Sequence, residues 1–137
     1  MFIRWQMNMS PMTGKDCPFC HPDDSRIIFQ DTRAYAVFDA YPVNPGHMLV
    51  IPFEHEPDVL LLPDDTRASI DRILSKCRDH LDEEFNPDGF NIGVNIGRPA
   101  GQTIMHAHVH LIPRYLGDVD DPRGGVRGVI PQRRDYG

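Results

Sequence analysis

Three of the seven histidines stand at alternate positions, His106, His108 and His110. In an extended segment that spacing sends all three imidazoles to one face. Ala107, Val109 and Leu111 then face the other way, as a strand packed on a core requires. A row of imidazoles serves two chemistries near neutral pH, metal binding and the handling of phosphate. Alternate strand residues lie about 6.5–7 Å apart at Cα, so two of them could share a zinc ion. A zinc hydrolase built that way also needs a carboxylate close by as base, and no Asp or Glu occurs between Asn91 and Tyr115. What precedes the histidines is Gly97-Arg98-Pro99-Ala100-Gly101-Gln102-Thr103. Its glycines allow close backbone approach, and its amide and hydroxyl suit phosphate oxygens. Phosphate chemistry is therefore the better reading of the triad. A second cluster of metal-competent residues begins at Cys17 and Cys20, spaced C-P-F-C; alone, such a pair is a weak metal signal.

These residues need a scaffold, and the patterning supplies an α+β domain. Strand-like segments occupy 26–29, 34–38, 47–51, 90–96 and 104–112, separated by turn residues. Pro42, Pro45 and Gly46 mark a loop before His47, and Pro52 closes the strand that follows. Between Asp64 and Phe85, Ile70, Ile73, Leu74, Cys77 and Leu81 form one apolar stripe at helical spacing. Cys77 thus reads as core, and His80, beside the stripe, as packing. Five strands linked mostly without crossovers, with one main helix, predict a five-stranded antiparallel sheet. Residues 1–15 show no periodicity and read as an N-terminal arm; 16–117 form the domain, and 118–137 a C-terminal extension.

Composition narrows the function classes. The chain has 137 residues, 40% apolar and 25% charged, enough for one core. Its net charge is −6, and residues 54–88 carry eleven acids against four bases. A protein that coats a nucleic acid polymer would rarely be acidic overall; a small anionic ligand needs only a local pocket. Apolar runs are too short to span a membrane, and the N-terminus lacks a signal-peptide pattern. The expected location is cytoplasmic, with no membrane or nucleic acid partner. Three cysteines do not make a disulfide scaffold.

Gly101-Gln102-Thr103-Ile104-Met105-His106-Ala107-His108-Val109-His110-Leu111-Ile112 resembles the signature of the histidine triad (HIT) superfamily. Ile27-Ile28-Phe29, Val37-Phe38-Asp39 and Asn44-Pro45-Gly46-His47-Met48-Leu49-Val50-Ile51-Pro52 resemble it too, in order and approximate spacing, so that the likeness covers roughly residues 17 to 114. It implies a HIT-like fold, a homodimer whose sheets join, and a nucleotidyl hydrolase or transferase acting at an α-phosphate. His108 would attack phosphorus and form a nucleotidyl-imidazole. His110 would donate to the phosphoryl oxygens, and the His106 carbonyl would orient the His108 ring. Gln102 and Thr103 would contact phosphate near the leaving group, with Gly101 beside them and Asn95 in the family's amide position. Asp39 would hold the ribose, and Phe19, Ile28, Phe29 and Val37 would surround the base, adenine being expected. His47 is counted with the substrate-binding set, behind the triad.

The resemblance also implies a structural zinc on Cys17, Cys20, His55 and His106, a closed Cys₂His₂ set, with His21 and His80 as competing ligands and no organic cofactor. Pro113-Arg114 and Thr103 favour a dinucleoside polyphosphate hydrolase; Asn95 is more like the nucleoside phosphoramidase branch. His110 argues against the uridylyltransferase relatives, which carry glutamine there. A nucleotide-binding regulatory module with vestigial catalysis is the alternative of another class. The C-terminal extension is expected either to act as a lid, bringing Arg123 or Arg127 to distal phosphates, or to form a dimer contact, or to be a flexible tail.

Overall fold

A computed structural model describes residues 16–136; the N-terminal arm at 1–15 lies outside the described residues. Five strands, β1 (Ile27–Gln30), β2 (Ala34–Phe38), β3 (Met48–Pro52), β4 (Gly89–Gly93) and β5 (Val109–Arg114), form one sheet in the order β1-β2-β3-β5-β4. Every adjacent pair is antiparallel. The helix α1 (Asp64–Phe85) connects β3 to β4 and covers one sheet face.

α1 forms where the stripe predicts. Ile70, Ile73, Cys77 and Leu81 are buried, and Leu74 packs half-buried against the same cluster. Asp64 and Asp65 in the first turn complement the helix dipole. Asn86 ends the helix in the left-handed conformation at φ 49°, its N–H donating to the Leu81 carbonyl. The helix packs on Ala34, Ala36, Met48, Val50, Val109 and Leu111, the inward-facing set of the three central strands. Burial pushes the Cys77 thiol up to about 12, so it behaves as a small apolar side chain. His80 packs edge-on against Phe29, as expected of a structural histidine.

Two strands differ from expectation. β5 begins at Val109, not at residue 104. Its ladder with β3 ends at Val50–Val109, close to Pro52, which has no N–H to offer. The Ala107 amide donates instead to the Glu56 carbonyl at 2.7 Å, beyond the end of β3. β5 then runs through Pro113, whose carbonyl accepts from the Asn44 side chain at 3.0 Å. β3 begins only at Met48, opposite Leu111, so the missing proline N–H interrupts no β3 bond. β4 stops at Gly93, before the turn to Gly97.

Gly46 forms the turn into β3 at φ 91°. A Cβ there would lie 3.0 Å from Leu81 Cδ2 and 3.2 Å from both Phe85 and Pro113. The turn that presents His47 thus requires glycine both for its backbone angle and for its space.

Candidate active site

The sheet face opposite α1 carries the chemistry. Along β3 the alternation places His47, Leu49 and Ile51 on that face; His110, opposite Leu49, joins them from β5. His108 lies one step earlier in the chain. Its ring is 5.2 Å from that of His110 and 5.1 Å, edge-on, from Phe19. The His108 Nδ1–H donates to the His106 carbonyl at 2.8 Å. The proton is thereby fixed on Nδ1, and the Nε2 lone pair is left directed outward, as a nucleophile requires.

His106 is fully buried and turned to a different task. Its Nε2–H donates to the Pro52 carbonyl at 2.7 Å, so Nδ1 presents a lone pair. Around that lone pair stand Cys17 Sγ at 3.3 Å, Cys20 Sγ at 3.5 Å and His55 Nδ1 at 3.2 Å, with Cys20 Sγ 3.2 Å from His55 Nδ1. A tetrahedral zinc with ordinary bond lengths gives donor–donor edges of about 3.3–3.8 Å, those involving a histidine nitrogen about 3.3–3.6 Å. The four donors therefore fit such an ion, and the Pro52 carbonyl is the kind of outer partner that fixes a ligating histidine. Without a cation the set is costly. Burial, then the neighbouring Cys17, pushes the Cys20 thiol up to about 11, and burial holds His106 below its usual range. Of the competing ligands, His80 is committed to Phe29, and the four-residue cluster does not include His21.

A second group of metal-competent atoms is Asp39, His47 and His110, and its chemistry is the reverse. The Val43 backbone N–H donates to His47 Nδ1 at 3.0 Å. His47 Nε2 therefore carries the ring proton and faces His110 Nδ1 at 3.0 Å and Asp39 Oδ2 at 3.5 Å. A nitrogen that bears a proton is no ligand, so this cluster is a hydrogen-bond chain. Burial lowers the pKa of His47, and lowers that of His110 to about 4, where the neighbouring His108 and His47 add to the effect.

A cavity of about 190 Å³ opens beside the triad. Phe19, Val37, Leu49, Ile51 and Ile104 wall it, and Asp39, Asp23 and Arg26 bring charge to its lining. Leu49 and Ile51 escaped the sequence reading, although their alternation with His47 was a usable signal. Two expected base contacts are corrected. A bulge between Ile27 and Phe29 shifts the register against β2. Phe29 is thereby turned to the α1 side, against the core and His80, while Ile28 is 37% exposed; neither lines the cavity.

The loop 97–103 approaches from β4. Gly101 adopts φ 104°, and a Cβ there would lie 3.8 Å from the Asn95 amide. Asn95 is half-buried and Thr103 exposed. Gln102 is 1% exposed and already fully engaged. Its Oε1 accepts from the Gly97 N–H at 2.9 Å, and its Nε2 donates to the Pro57 and Ile104 carbonyls at 2.9 and 3.1 Å. Its amide thus fastens the loop and has no donor left over for phosphate. In the C-terminal extension, Arg123 pairs with Asp121, and Arg127 donates to the Arg134 and Arg133 carbonyls. Both guanidiniums are engaged within the extension itself.

Comparison with known proteins places this geometry. The HIT domain model matches residues 22–117. The AP-4-A phosphorylase of Mycobacterium tuberculosis is 32% identical over 85% of this chain, which spans 61% of that relative's length. The bis(5'-adenosyl)-triphosphatase of Dictyostelium discoideum is 33% identical over 71% of the chain and 65% of its own length. The crystal structure of a Zn-bound histidine triad family protein from Mycobacterium smegmatis superposes with a TM-score of 0.68 at 32% identity, covering 77% of this chain and 80% of that one. The chain belongs to the HIT domain family.

Proposed function

From that membership, we propose that the protein splits nucleotide conjugates at the α-phosphate, with a dinucleoside polyphosphate of the diadenosine tetraphosphate class as substrate. The observation that carries this is the His108 Nδ1–H bond to the His106 carbonyl at 2.8 Å, which leaves Nε2 free beside the apolar cavity. A nucleobase enters the cavity against Phe19 and Val37, and Asp39 in its lining meets the ribose hydroxyls. His108 Nε2 attacks the α-phosphorus; the P–N bond forms as the P–O bond to the leaving polyphosphate breaks. His110, neutral because it is buried, donates to a phosphoryl oxygen. Asn95, Thr103 and the Gly101 backbone contact phosphate, while Gln102 holds their loop. An acceptor then attacks phosphorus, the P–N bond breaks, and the nucleotide leaves.

Water as acceptor makes the enzyme a hydrolase. The names of the two relatives, a phosphorylase and a triphosphatase, keep inorganic phosphate in play as the other acceptor. Asn95, placed beside Gly101, favours adenosine phosphoramidate as a second substrate. Cys17, Cys20, His55 and His106 hold a structural zinc that ties the 17–20 turn to the start of the triad. β4 is an edge strand with Ile92 55% exposed, partly flanked by the turn at Gly125–Val129; a second copy pairing along its remaining length would continue the sheet.

The test offers diadenosine tetraphosphate and adenosine phosphoramidate to wild type and His108→Ala, with and without inorganic phosphate. Release of AMP by wild type, reduced about 10⁴-fold or more in the variant, is expected. ADP formed only when phosphate is added assigns the phosphorylase reaction. Nucleotide binding without turnover of either substrate would overturn the enzyme reading in favour of a binding module.

A further inference from the structure

We propose that His47 is a positioning residue that locks His110 in its Nε2–H tautomer, the choice being dictated by the Val43 backbone amide; this deepens the nucleotidyl-transfer reading above and rests on it for its catalytic consequence. A backbone N–H can only donate, so His47 Nδ1, 3.0 Å from the Val43 nitrogen, must carry a lone pair. A neutral imidazole has one N–H, and in His47 it is therefore on Nε2. That proton faces His110 Nδ1 at 3.0 Å. His110 Nδ1 is thus an acceptor, and the one proton of its neutral ring sits on Nε2.

The alternatives clash. A doubly protonated His47 would direct Nδ1–H at the Val43 N–H. A doubly protonated His110 would direct Nδ1–H at the His47 Nε2–H. Reversing the His47–His110 bond would need a proton on His47 Nδ1, where the amide already points. Of the groups that face His110, His108 and His47 oppose its protonation, and Asp39 alone favours it. Asp39 is itself held by the Tyr41 N–H on Oδ1 at 2.9 Å, with Oδ2 3.5 Å from His47 Nε2. The consequence is that a phosphoryl oxygen arriving at His110 Nε2 meets a donor already in place. A ring free to choose its tautomer would present a lone pair, and repulsion, for part of the time.

The test has one readout in the substrate-free protein and one in turnover. Nitrogen-15 histidine spectra at neutral pH should show His110 as a neutral ring protonated on Nε2. In His47→Leu an Nδ1–H population should appear at His110. In His47→Gln, whose amide offers a donor near the Nε2 position, the Nε2–H form should return. Turnover should follow, with kcat down on the order of 10²-fold in His47→Leu, KM within a few-fold of wild type, and His47→Gln recovering most of the loss. A wild-type His110 that is cationic or carries Nδ1–H at neutral pH overturns the proposal without any variant. So does a His47→Leu protein that keeps the Nε2–H form, or equal loss of kcat in Leu and Gln variants. Absent turnover with the tautomer signature intact would sink the reading of the reaction and leave the lock standing.

Discussion

Of the two histidine clusters, one precedes β5 and the other lies on the sheet face opposite α1, and what separates their chemistry is a single backbone group on each side. At His106 the backbone supplies an acceptor, the Pro52 carbonyl, which draws the ring proton to Nε2 and turns a lone pair on Nδ1 toward two thiols and His55. At His47 it supplies a donor, the Val43 amide, which occupies the Nδ1 lone pair and leaves a proton on the inward-facing Nε2. The first arrangement collects lone pairs and calls for a cation; the second passes a hydrogen bond along and repels one. Imidazole chemistry is the same in both, and the main chain decides which half of it is expressed.

The largest effect should come from emptying the first cluster. In Cys17→Ser or Cys20→Ser, and in wild type treated with a strong chelator, the apparent Tm should fall by about 10 °C or more, because metal binding is folding free energy for a site of this kind. Calorimetry alongside metal analysis checks this. One zinc per chain in wild type and none in the variants is expected, and an unchanged Tm on zinc loss would break the contrast. His47→Gln should keep its zinc in the same measurement.

Next comes the turn that presents His47. Gly46→Val puts a branched side chain at φ 91°, where a Cβ already meets Leu81, Phe85 and Pro113. A cost of about 3 kcal/mol is expected from strain and overpacking together, read as a shift in the urea midpoint. If the clusters are separately built, zinc content stays at the wild-type level while kcat falls.

The pH dependence of stability is a gentler probe of the second cluster. His110 is neutral in the fold, its pKa lowered to about 4 mainly by burial, whereas in the unfolded chain it titrates near the ordinary value of about 6.5. Between those values the unfolded state binds the extra proton, so this contribution is intact above about pH 6.5 and is lost as pH falls toward 4. His47, lowered for the same cause, acts with the same sign. His110→Asn should therefore show a shallower fall in the urea midpoint between pH 6.5 and 4 than wild type. Parallel curves would mean that His110 does not titrate differently in the two states.

How much of this was readable in the sequence depends on how local the cause is. The α1 stripe, the triad's alternation and the glycine turn at Gly46 depend on neighbours a few residues away, and all were legible. Phe29 was not, because one bulge after Ile27 reverses which face it takes, and no side-chain pattern marks that extra residue. Gln102 reads as a phosphate ligand by its type. Its commitment to Gly97, Pro57 and Ile104 depends on a loop and a distant segment closing together. The four-donor set joins positions 17, 20, 55 and 106, a spacing that only family resemblance could connect. The His47 lock turns on the direction of one amide in the loop before β3, which no residue type specifies.

The smallest expected effect isolates what the cluster adds to a cysteine. Cys77 is as buried as Cys17, with 0% and 1% exposure, yet it sits alone among Ile73, Leu81 and the inner strand residues, its thiol raised by burial and by nothing else. If burial were what made a cysteine important here, Cys77→Ala and Cys17→Ala would cost alike. If the lone-pair cluster is the cause, Cys77→Ala removes one sulfur from a packed core and costs about 1 kcal/mol, with zinc content and kcat unchanged. Cys17→Ala is then expected to lose zinc. Calorimetry and metal analysis on the two proteins side by side decide it, since a Cys77→Ala variant that shed zinc would tie the helix core to the four-donor cluster and make burial, not the cluster, the cause.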